Sequence, residues 1–89
     1  MRYDLDNKRN QLRAGLKVYM GEDGAFFCGY RVMTGAYRID GAAPPTGAPD
    51  PESALVQGIA ALRGECRRLS STQQLVVDLW LRQVTAQGW

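Results

Sequence analysis

Histidine is absent from the 89 residues, and cysteine occurs only at Cys28 and Cys66. Without an imidazole there is no histidine acid–base catalyst, no Ser-His-Asp or Cys-His nucleophile pair, and few of the usual zinc donor sets. Two cysteines 38 positions apart make no metal motif, and they are too few for a disulfide scaffold. The expected role of both is packing as buried thiols. No stretch approaches the roughly 18 apolar residues that a membrane-spanning helix needs. The opening "MRYDLDNKRN" is polar and has no secretory apolar core, so the expectation is a cytoplasmic chain with reduced cysteines. "GEDG" at 21–24 is too short for a phosphate loop, and no G-x-x-x-x-G-K follows anywhere. Asp4, Asp6, Glu22, Asp23 and Asp40 are scattered over turns and termini, where solvated carboxylates are ordinary. These absences lead us to expect no enzyme, no metal and no cofactor.

A strong charge of either sign is also missing. The formal net charge is +2, with seven basic against four acidic residues in 1–38 and four against five in the remainder. So mild a bias is neither the basic footprint of a dedicated nucleic-acid binder nor an acidic imitation of DNA. The apolar share of 45% and charged share of 22% are those of a soluble globular domain. At this length there is one domain with a thin core, which a partner or a second copy would help to stabilise.

The chain reads as α+β. Residues 4–14, "DLDNKRNQLRA", predict a short N-terminal helix, with Asp4 or Asp6 as N-cap and Gly15 in the C′ place. "LKVYMG" at 16–21 alternates Leu16, Val18 and Met20 against Lys17 and Tyr19. After the "GEDG" turn, Phe26, Cys28, Tyr30 and Val32 alternate against Phe27, Arg31 and Met33. Thr34-Gly35 allows a second turn into "AYRID", so the prediction is a three-stranded antiparallel meander, with Gly29 as a candidate bulge. Residues 41–51, "GAAPPTGAPDP", with four prolines, read as an extended linker crossing the sheet inside the single domain.

Two C-terminal helices packed on one sheet face complete the expected architecture. Asp50 is a good N-cap and Pro51 a good first helical residue, and Leu55, Ile59, Leu62, Cys66 and Leu69 recur at helical spacing. Ser71 with Gln74 fits a capping box for a last helix over 72–86. In that helix seven apolar residues, Leu75 to Val77, Leu79 to Leu81 and Val84, spread over about two thirds of the circumference. Asp78, Arg82 and Thr85 make the compact polar stripe.

Such a wide apolar surface is more than a small monomer buries. We therefore expect Val77, Trp80, Leu81 and Val84 to contact another protein, or a second copy in a homodimer, near Arg67, Arg68 and Trp89. The plainer reading is that Trp80 closes the core. A second surface comes from "GAFFCGYRVMTGAYRI": Lys17, Tyr19, Phe27, Arg31 and Arg38 should share the open sheet face. Aromatics interleaved with cations there could stack bases and hold phosphates of a single-stranded nucleic acid. Against that stands ordinary snorkelling of Lys and Arg over a partly covered sheet.

No motif matches a family. In general make-up alone the chain is similar to small phage or mobile-element proteins, anti-CRISPR inhibitors among them, which are compact motif-free α+β domains. That likeness implies a stoichiometric inhibitor or adaptor occupying a partner's surface, and it assigns no residue.

Overall fold

The computed structural model describes residues 1–87; Trp89 lies outside them. From the N-terminus the chain forms strand β1 (Arg2–Asn7), a 3-10 turn (Lys8–Asn10), β2 (Leu12–Met20), β3 (Phe26–Thr34) and β4 (Arg38–Ala48). Helix α1 (Pro51–Glu65), a second 3-10 turn (Cys66–Arg68) and helix α2 (Ser71–Gln87) follow. The four strands make one antiparallel sheet in the order β1-β2-β3-β4, with both helices on one of its faces.

Two expectations are corrected here. The predicted helix over 4–14 is instead β1, a tight turn and the start of β2. Only Leu5 and Leu12 were available to a helical stripe. The period of two wins, with Tyr3, Leu5 and Asn7 half-buried and Arg2, Asp4 and Asp6 exposed. Asn7 closes the turn, its Oδ1 accepting from the Asn10 backbone N–H at 3.1 Å. Gln11 then takes a left-handed conformation, φ 52°. The predicted linker is in fact the continuation of the predicted third strand, which runs on to Ala48 as the 11-residue β4, and β1 makes the sheet four-stranded rather than three-stranded. Prolines are tolerated because β4 is an edge strand, whose outer groups need no partner. Pairing jumps from Cys28↔Ala43 to Phe26↔Ala48, so Pro44–Gly47 bulge out of register. The irregularity thus falls beside Phe26, not at Gly29.

The helices form as their sequence signals require. The Asp50 carboxylate accepts from the Ser53 N–H at 2.7 Å, with Pro51 in the first turn. The capping box of α2 sits one residue earlier than expected: Ser70 Oγ accepts from Gln73 N–H at 3.1 Å, and Gln73 Oε1 accepts from Ser70 N–H at 3.2 Å. Gln73 also donates through Nε2 to the Asn10 carbonyl at 2.9 Å, tying α2 to the β1–β2 turn. Leu12, Ala14, Leu16, Val18, Cys28 and Val32 line the covered sheet face, and Leu55, Ile59 and Leu62 of α1 meet them. α1 seats very low. A Cβ on Gly58 would fall inside the Cys28 Sγ, so only glycine lets helix and strand approach this closely.

Candidate binding face

Alternation along each strand decides which side chains are left over once the core is filled. In α2 the inward stripe is Val77, Trp80, Leu81 and Val84, exposed by 2%, 7%, 0% and 2%. These four residues, expected to contact a partner, are core: the covered sheet face takes the i, i+3, i+4, i+7 stripe, and Trp80 closes it. Leu75 and Leu79 remain outside, at 59% and 51% exposure, separated from the stripe by the helix curvature. Asp78 accepts from Arg63 of α1 at 3.4 Å and pairs with Arg82 at 3.0 Å, so a charged cluster sits between the exposed apolar residues and α1.

The opposite face of the sheet carries no helix. Lys17, Tyr19, Phe27, Arg31 and Arg38 do share it, as alternation predicts. Tyr19 lies directly opposite Phe27, and their rings stack with centroids 5.8 Å apart and planes 21° apart. Sequence reasoning missed five residues of this face: Arg2, Asp4 and Asp6 from β1, Arg13 from β2, and Asp40 from β4. For the three of β1 the signal was the exposed half of the strand's alternation, which a helical assignment conceals.

At the centre of this face two glycines are close neighbours across the strands. Gly15 lies opposite Asp4 and Arg31, and Gly29 opposite Lys17 and Ala42. Without side chains there, the surface sinks into an open groove of about 820 Å³, walled by Lys17, Tyr19, Arg31 and Asp4. A Cβ on Gly29 would make only an ordinary contact, 3.7 Å from the Tyr19 ring, so the depression is not forced by backbone crowding.

Charge on the face is mixed and mostly paired. Arg31 donates to Asp40 at 2.9 Å and Arg38 to the same carboxylate at 2.6 Å. Arg2 pairs with Asp4 at 3.2 Å, and Arg13 with Asp6 at 3.9 Å. Among the described residues Lys17 is the one cation of this face with no carboxylate within 4 Å. The hydrogen bond from Arg31, helped by Arg38, holds the Asp40 carboxyl below its ordinary range. Among the described residues no group of three or more His, Cys, Asp or Glu is placed to hold a metal. No described helix is long and apolar enough to cross a membrane. Comparison with family models, curated proteins and solved structures found no match to this chain.

Proposed function

We propose that this chain is a non-enzymatic binding module that engages another protein through the helix-free sheet face, with the groove floored by Gly15 and Gly29 receiving part of that partner. The observation that carries the reading is the composition of the groove's surroundings. A stacked aromatic pair stands beside a depression, within a field of five cations and three carboxylates. Aromatic anchors next to a pocket, rimmed by charges of both signs, are the chemistry of a protein interface.

A single-stranded nucleic acid is the weaker reading for this face. Its phosphates would meet Asp4, Asp6 and Asp40, and four of the five cations already have a carboxylate partner. The module would act by occupying a surface, as a stoichiometric inhibitor or adaptor does. Two free, buried thiols support a reducing, cytoplasmic setting.

The test places the photocrosslinker p-benzoylphenylalanine at position 17 and irradiates cells of the source organism. The expected result is a discrete protein adduct that disappears in Gly29→Gln, which fills the groove without disturbing the fold. A nuclease-sensitive adduct, or a protein adduct indifferent to Gly29→Gln, would overturn the proposal.

A further inference from the structure

The two edges of the sheet are unlike. The C-terminal half of β4 is blunted by Pro44, Pro45 and a bulge and its regular part, 38–43, contains Gly41, whereas β1 is six residues long with neither proline, glycine nor bulge. An uninterrupted edge strand with free backbone groups is a template for another strand.

The hydrogen-bond phase of β1 fixes which groups are free. The Val18 N–H donates to the Met1 carbonyl at 2.9 Å. In an antiparallel ladder every second residue bonds the neighbour, so Tyr3, Leu5 and Asn7 direct their backbone groups to β2. The N–H and C=O of Arg2, Asp4 and Asp6 therefore point off the edge of the sheet, while their side chains stand on the helix-free face. Tyr3 and Leu5 stand on the other face and pack against the core from its margin, only half-buried.

We propose that β1 pairs antiparallel with β1 of a second copy, about a two-fold axis perpendicular to the sheet and passing through Asp4. In this register Arg2 lies opposite Asp6 of the second copy, and Asp6 opposite its Arg2. Tyr3 lies opposite Leu5, and Leu5 opposite Tyr3. Every outward N–H and C=O of the strand gains a partner, opposite charges face each other twice, and the half-buried apolar pair is completed twice on the helix side. Moving the axis to Leu5 would instead set Asp4 against Asp6. Moving it to Tyr3 would leave Asp6 without a partner strand. The unfavourable contact directly across the axis is Asp4 against Asp4, flanked on each side by an Arg2 and an Asp6. Both helix-free faces end up on the same side of one eight-stranded sheet.

Sedimentation velocity over a wide concentration range reads the assembly, and the mass should rise toward twice the 9.8 kDa chain mass. Arg2→Asp and Asp6→Arg should each weaken the dimer about tenfold, because each puts like charges opposite at two symmetry-related positions. The doubly exchanged R2D/D6R chain should recover it, since opposite charges then face each other again at both positions. Asp4→Asn should tighten it. Hydrogen exchange of the unaltered protein gives an independent reading: the Arg2, Asp4 and Asp6 amides should slow as concentration rises, with Tyr3, Leu5 and Asn7 unchanged. A monomer at all concentrations, fast exchange of those three amides throughout, or an exchanged chain that folds yet fails to recover would overturn the proposal.

Discussion

Trp80 shows how a single residue's role follows from what its neighbours leave uncovered. Its ring lies under the sheet with Val77, Leu81 and Val84, so its removal is a cavity rather than a lost contact with a partner. Trp80→Ala should cost about 3–5 kcal/mol of folding stability in denaturant titration, a large fraction of what so small a domain has. Leu79→Ser, away from the inward stripe and exposed, should change stability by about 0.5 kcal/mol or less. Equal effects of the two substitutions would mean that the inward stripe has been misplaced.

Elements differ in how plainly the sequence announces them. α1 and α2 were legible because each begins with a capping residue and repeats apolar residues at helical spacing; only the α2 box is displaced, Ser70 and Gln73 acting where Ser71 and Gln74 were expected. β1 was not legible. Asp4, Asp6, Asn7 and Gly15 are helix-boundary residues, and nothing local says that the apolar half of the alternation, Tyr3 and Leu5, has a sheet margin to pack on. The start of β4 was legible in "AYRID", but its extension over 41–48 was hidden by its prolines, whose exclusion from sheets holds for interior strands and not for this edge. The candidate face was half legible for the same reason: Lys17, Tyr19, Phe27, Arg31 and Arg38 follow from alternation within strands, whereas Arg2, Arg13, Asp4, Asp6 and Asp40 need the pairing between them. The seating of α1 on β3 gives a test at this scale. Gly58→Ala should destabilise by about 1–3 kcal/mol through overpacking against Cys28. Adding Cys28→Gly, which removes both the Sγ and the Cβ that the new methyl would meet, should return part of that loss, a non-additivity that a double-mutant cycle in denaturant measures.

For the whole molecule, the thin two-layer core sets the response to alkali. Burial pushes the Cys28 and Cys66 thiols up from an ordinary 9.0 to about 11 each, with Glu65 adding to the effect at Cys66. A group whose pKa is raised by folding contributes stability that is complete below its unfolded value and lost as pH rises through its folded one. Thermal stability should therefore hold up to about pH 9 and decline between pH 9 and 11. Calorimetry on a chain with both cysteines replaced by alanine should show a shallower decline across that window. An unchanged alkaline slope would assign the loss to other groups.

The prolines of β4 have a consequence for growth. A sheet open at both edges can recruit strands without end, each addition exposing a fresh edge for the next. Here Pro44, Pro45 and the bulge interrupt the C-terminal half of the β4 edge, so β1 is the edge that is regular along its whole length. A second copy that joins β1 to β1 uses up both uninterrupted edges and presents to solvent only β4 edges, each broken at Pro44 and Pro45. Growth along the sheet beyond two copies has to go through the interrupted β4 edge, where the prolines and the bulge disfavour it.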